Sequence, residues 1–173
     1  MTNFKNIDYL MEGNAKQQKA YQALNKLGIF EKLKKFSPLL TGTIPIEIDL
    51  PESDLDIICE CDNHDEFTDL IIKLFGQYKD FKIHSHDKYG LKSTVCKFWF
   101  NNFEIEIFGQ NRASERQNAY RHMLIEHRIL QEKGAAFRVE IIALKAMGLK
   151  TEPAFAELLK LEGNPYEALL KLE

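Results

Sequence analysis

A chain of 173 residues, 45% apolar and 28% charged, is long enough to bury a real core and has the balance of an ordinary globular protein. Its net charge of −3 gives no basic footprint, which excludes a large non-specific nucleic-acid surface and leaves room only for a local basic patch. No stretch approaches the roughly 20 apolar residues of a membrane span, no signal-like apolar core opens the sequence, and its three cysteines cannot all pair, so a reduced, cytoplasmic setting is expected.

Residues 4–12 read as a short helix stopped by Gly13, and Asn14 caps the next, whose stripe is Ala20, Tyr21, Leu24 and Leu27. Gly28 ends that helix, and 29–36 form another short one with Lys32, Lys34 and Lys35 outward. Ser37-Pro38 breaks it and delivers a strand over about 39–44. An acid-rich loop, 45–53, leads to a strand at 54–60 and a helix from Asn63 to about residue 78. Alternation then predicts a strand at 81–86, with His84 and His86 on one face as solvent-exposed positions. Strands at 93–100 and 103–109 flank Asn101-Asn102, a two-residue hairpin turn. Beyond Gly109 the period becomes helical. Ser114 to Gln117 reads as a capping box for a helix to about 132, Gly134 stops it, and further helices follow at 137–147, from Pro153, and at 165–171. Cys59 and Cys61 continue the apolar face of Leu55 and Ile57, which suits core packing better than a metal site with His64.

The chemistry concentrates around Gly42. Leu39 to Thr41 ends in the pair Gly42-Thr43, and the next strand opens with Asp54-Leu55-Asp56. Two acids two apart project from one strand face and repel one another, a cost that a hard divalent ion with oxygen ligands would relieve. Gly42 permits close approach of backbone to a ligand, and Thr43 adds a hydroxyl, a combination suited to phosphate oxygens. Phe103 to Phe108 alternates apolar and acidic residues, so Glu104 and Glu106 share a face. If this strand runs antiparallel to 54–60, Glu106 stands level with the two aspartates and is the expected third acid, with Glu104 the alternative.

This order of features resembles the nucleotidyltransferase superfamily that includes polymerase beta. Gly42-Thr43-Ile44-Pro45-Ile46 through Ser53 to Ile57, with Lys16-Gln17-Gln18 and Gln117 to His122, is similar to one uncharacterised bacterial family within it. The resemblance implies an α+β fold: a nucleotidyltransferase-like mixed β-sheet flanked by helices, spanning residues 1–111, with a C-terminal helical extension over 112–173. It implies Asp54, Asp56 and Glu106 as catalytic residues and metal ligands for two Mg²⁺ ions, with Gly42 and Thr43 binding the nucleotide. It implies transfer of a nucleoside monophosphate from a nucleoside triphosphate to a hydroxyl-type acceptor, with release of pyrophosphate. Glu106 would help deprotonate the acceptor, and Ser53 would orient the metal loop. Arg112, Arg116, Arg121, Lys145 and Lys150 could contact phosphate or acceptor, against a reading as exposed charges. The charge balance favours a small molecule or protein over nucleic acid as acceptor. Two other readings stand beside this one: a catalytically silent nucleotide- or protein-binding module, and a metal-dependent phosphohydrolase.

Overall fold

The computed structural model describes residues 2–88 and 90–173. After a 3₁₀ turn at Asp8–Glu12, helix α1 spans Ala15–Leu27. Asn14 accepts from the backbone of Lys16 and Gln17, while Gln17 reaches back to the Asn14 N–H, so the helix opens on a reciprocal cap. Gly28, at φ 67°, closes it in the left-handed region and turns the chain into α2 (Ile29–Lys32). The strands are β1 (Leu39–Thr41), β2 (Leu55–Glu60), β3 (Lys79–Lys88), β4 (Leu91–Phe100) and β5 (Phe103–Gln110). Helix α3 (His64–Phe75) lies between β2 and β3; α4 (Asn118–Ala146), α5 (Thr151–Leu159) and α6 (Pro165–Leu170) follow the sheet. The architecture is therefore α+β, a mixed five-stranded sheet flanked by helices, in the order β1-β2-β5-β4-β3. No helix among the described residues is long and apolar enough to cross a membrane.

Alternation along the strands builds two cores. Leu40, Leu55, Ile57, Cys59, Cys96, Phe98, Ile105 and Ile107 bury themselves with Leu24 and Leu27 of α1 and Phe67, Ile71 and Phe75 of α3. All three cysteines are buried thiols in this region. On the other side, Leu39 and Ile58 join Ile46 and Ile48 of the loop and Tyr120, Met123, Ile141 and Phe155 of the C-terminal helices. Each such side chain contributes roughly 1.5–3 kcal/mol on burial. A one-residue slip of β2 would exchange Leu55 and Ile57 for Asp54 and Asp56 in the first core, so this register is strongly specified.

Several expectations change. The 4–12 helix is a 3₁₀ turn over Asp8–Glu12, and the 29–36 helix is α2 followed by a 3₁₀ turn at Lys34–Phe36. Strand β1 ends at Thr41, because the backbone turns at Gly42. Helix α3 stops at Phe75 rather than near 78. The expected capping box is absent: Ser114–Arg116 is a 3₁₀ turn, and the buried Gln117 stands before α4 with its side chain turned inward. Gly134 breaks helical geometry as expected, at φ 81°, though helix resumes directly after it. The largest correction concerns direction. Strands β2 and β5 run parallel, not antiparallel, and Asp56 pairs with Glu106 in that register.

Candidate functional site

Oxygens of Asp54, Asp56 and Glu106 all lie within 4.8 Å of one another. Strand β2 positions the aspartates and β5 brings Glu106 directly beside Asp56. Across β1, Thr41 pairs with Asp56, so Gly42 comes next to its carboxylate. Gly42 has φ 87°, and a Cβ there would stand 2.4 Å from Asp56 Oδ2. Both its conformation and its closeness to the acid require glycine. The Thr43 hydroxyl donates to Ser53 Oγ at 3.3 Å, and Ser53 Oγ accepts from the Leu50 N–H at 2.9 Å, which fixes the two ends of the loop against each other.

The charges are in conflict. Asp56 keeps part of its surface open yet is packed on nearly every side. Burial, then the charges of Asp54 and Glu106, push its carboxyl well above the usual carboxylate range. Among the described residues, Lys97 of β4 brings a cation to the cluster. Its ammonium lies 2.8 Å from Glu106, 3.4 Å from Glu104 and 3.9 Å from Asp54. The hydrogen bond to Glu106 leads in raising the Lys97 pKa above its ordinary value, against desolvation. Three carboxylates converging on one point, one of them crowded by burial and by its acidic neighbours, form a hard-oxygen donor set that fits a divalent ion such as Mg²⁺. A cleft of about 730 Å³ opens beside Ser53 and Glu104, lined also by Lys16, Lys19, Gln22 and the half-exposed Trp99.

The loop between Thr43 and Asp54 is held by its main chain. Gln17 donates to the carbonyls of Ile44 and Pro45 at 3.0 and 3.3 Å. Arg138 donates to those of Ile46 and Glu47 at 2.5 and 3.2 Å, and Lys145 to that of Ile48 at 2.5 Å. Lys16 binds the carbonyls of Leu50 and Pro51 and pairs with Asp49 at 3.2 Å. Side chains from α1 and α4 therefore take every carbonyl from Ile44 to Pro51 except that of Asp49. The carbonyls are oriented by these donors, so the loop that separates Gly42 from Asp54 has a fixed path.

The other sequence candidates disperse. Arg121 pairs with Glu173, and Arg112, Arg116 and Lys150 are exposed. Lys32, Lys34 and Lys35 are exposed, Lys35 pairing with Glu66. His84 and His86 are exposed neighbours on β3. Lys145, expected as an exposed charge or phosphate contact, is instead buried on the loop. Sequence reading missed Lys97, which carries no signal beyond its place on a strand two residues from Trp99. It also missed Gln117, whose amide donates to the carbonyls of Cys59 at 2.8 Å and Arg112 at 3.0 Å. That bond ties the end of β2 to the start of α4.

Residues 22–172 match the model of a family described as "Domain of unknown function (DUF4269)". Among curated proteins no sequence matches. Solved structures with a similar fold include the Cid1 poly(U) polymerase with MgGTP bound, at 13% identity and a TM-score of 0.55 over 80% of this chain and 46% of that one. The polymerase core of TRAMP, an RNA surveillance complex, aligns at 12% identity and a TM-score of 0.53 over 91% and 49%. The GLD-2/RNP-8 complex aligns at 13% identity and a TM-score of 0.52 over 88% and 57%. The likeness is to the polymerase-beta-like nucleotidyltransferase fold, and the chain spans about half the length of these neighbours.

Proposed function

The chain belongs to the family described as "Domain of unknown function (DUF4269)", and we propose that it is a Mg²⁺-dependent nucleotidyltransferase. It moves a nucleoside monophosphate from a nucleoside triphosphate to a hydroxyl-type acceptor and releases pyrophosphate. The observation that carries this reading is the convergence of Asp54, Asp56 and Glu106 beside Gly42-Thr43 on a nucleotidyltransferase-like sheet.

Asp54, Asp56 and Glu106 would hold Mg²⁺, which would supply charge neutralisation at the phosphates and a lower pKa for the attacking hydroxyl. Gly42, without a side chain, lets triphosphate oxygens approach its backbone, and the Thr43 hydroxyl, which donates to Ser53 in the free protein, turns its proton to them. In the transfer the acceptor oxygen bonds to the α-phosphorus, the bond to pyrophosphate breaks, and the acceptor proton passes to Glu106. The clamps from Lys16, Gln17, Arg138 and Lys145 keep the phosphate and metal residues in register, so that positioning is supplied before substrate arrives. The net charge of −3 and the acidic loop favour a small-molecule or protein acceptor, entering through the cleft beside Trp99. RNA, the polymer named for two of the structural neighbours, is the competing acceptor.

One observation favours the second reading, a catalytically silent nucleotide- or protein-binding module: a lysine ammonium already stands among the acids. The two readings separate in an assay with α-labelled triphosphates, Mg²⁺ and fractionated acceptors. Label moving to an acceptor with equimolar pyrophosphate, and lost in Asp54→Asn/Asp56→Asn, supports transfer. Label released as free monophosphate identifies a phosphohydrolase, and label that never leaves the triphosphate in any acceptor fraction contradicts both enzyme readings.

A further inference from the structure

Lys97 and Glu104 have no part in the chemistry outlined above, yet they are built into the same face. Strand β4 pairs Lys97 with Glu106 and Trp99 with Glu104, so the lysine stem rises between two carboxylates of β5. Its backbone is anchored by Cys96 and Phe98, both fully buried on the opposite face. The ammonium itself retains freedom: the side chain is 38% exposed and carries a flexible four-carbon stem. It lies within ion-pair distance of both glutamates, 2.8 Å from Glu106 and 3.4 Å from Glu104. Only Glu106 belongs to the set of oxygens close enough to share an ion with Asp54 and Asp56.

We propose that Lys97 is a tethered counter-cation that competes with divalent metal for the acid cluster, and that Glu104 is the carboxylate to which it retreats when metal enters. A divalent ion bound by Asp54, Asp56 and Glu106 repels an ammonium 2.8 Å from one of its ligands. Glu104, already 3.4 Å away and outside the triad, receives it with a rotamer change and no movement of the strand. Lys97 then sets how strongly the site takes metal alone. An ion arriving with a triphosphate brings extra ligands and displaces the lysine readily; a bare ion must displace it unaided. Lys97 is a positioning residue in this scheme, and Glu104 acts through it. The inference rests on the triad being the metal site.

The test is calorimetric titration of Mn²⁺ alone, without nucleotide, into wild type, Lys97→Met, Lys97→Arg and Glu104→Gln. Circular dichroism confirms that each variant is folded. Lys97→Met keeps the apolar stem and is expected to bind Mn²⁺ at least ~10-fold more tightly, about 1.4 kcal/mol. Lys97→Arg restores the wild-type affinity, and Glu104→Gln weakens binding because the ammonium has lost its second partner. Equal or weaker Mn²⁺ binding by Lys97→Met overturns the inference and leaves the metal site standing, provided that Asp54→Asn/Asp56→Asn abolishes binding. Binding that survives the double aspartate variant, or is absent from every protein, overturns the metal site and the inference with it.

Discussion

The α-carbon of Gly42 lies against the carboxylate of Asp56, so close that a Cβ at residue 42 would stand 2.4 Å from Oδ2. The turn that ends β1 and the acid that begins β2 are thus one unit. Gly42→Ala is expected to lower stability by about 1–3 kcal/mol, from a non-glycine residue at φ 87° plus displacement of Asp56. Urea unfolding measures the first effect. Loss of Mg²⁺-dependent stabilisation in the surviving folded protein measures the second, and a variant with wild-type stability and metal response would contradict the contact.

Asp56 sits where its charge costs stability. Burial and the charges of Asp54 and Glu106 raise its folded pKa above the unfolded value. Such an acid binds a proton more tightly when folded, so its contribution to stability falls as pH rises from the ordinary carboxylate range through the folded value. Asp56→Asn removes that loss. In EDTA at pH 8 the variant should melt above wild type, while its response to Mg²⁺ plus triphosphate disappears. A lower melting temperature in EDTA would mean that Lys97 already compensates the cluster in full.

A second buried acid gives a pH signature away from the candidate site. Glu126 of α4 is pushed up to about 8 by burial and then by Glu152, against the pull of His122 and Lys145. Between the ordinary glutamate range and about 8 it holds a proton that the unfolded chain has released, so stability declines across this window by at most about 1.4 kcal/mol per pH unit. His122, lowered by burial but carried above its ordinary value by Glu152 and the Tyr166 carbonyl, declines in the same sense. Lys145, held below its ordinary value by burial, runs the opposite way at alkaline pH. Comparing Glu126→Gln with wild type isolates the acid. The variant's advantage in melting temperature should grow from pH 5 to pH 8 and then level off.

The clamped loop is expected to open when its cations are removed. In Lys16→Met/Arg138→Met, the carbonyls of Ile46, Glu47, Leu50 and Pro51 lose their side-chain donors. Backbone amide exchange at Ile46, Ile48 and Asp49 should accelerate by at least an order of magnitude, while Leu55 and Ile57 in β2 stay protected. Uniform acceleration across the sheet would show that the clamps stabilise the whole fold and not the loop.

Much of this was legible because it is local. Alternation over Phe103 to Phe108, the Asn101-Asn102 turn at positive φ, and glycines 28 and 134 each write their structure within a few residues. The α+β class followed from the order of such pieces. Strand direction did not follow. Nothing within 54–60 or 103–110 records whether they pair parallel, because α3 and the β3–β4 hairpin between them decide it. Antiparallel pairing is the case in which Glu106 is expected to stand level with the aspartates, whereas the structure brings it beside Asp56 through a parallel register. Lys97, Arg138 and Lys145 were illegible for a related reason. A lysine or arginine on an amphipathic element reads as solvated until the fold delivers an acid or a carbonyl to it from 9 or 97 residues away, as Glu106 and Ile48 are delivered here.

If Asp54 and Asp56 bind nucleotide through a divalent ion, thermal unfolding registers it. Wild type and Asp54→Asn/Asp56→Asn are melted with each nucleoside triphosphate plus Mg²⁺, and again in EDTA. A ligand at about 100 times its Kd stabilises by roughly 2.7 kcal/mol, which for a chain of this size raises the melting temperature by about 5–10 °C. The expected result is a shift of that order with at least one triphosphate, dependent on Mg²⁺ and lost in the double variant. A shift that survives in the variant, or no shift with any triphosphate, would show that Asp54 and Asp56 do not bind nucleotide through a metal.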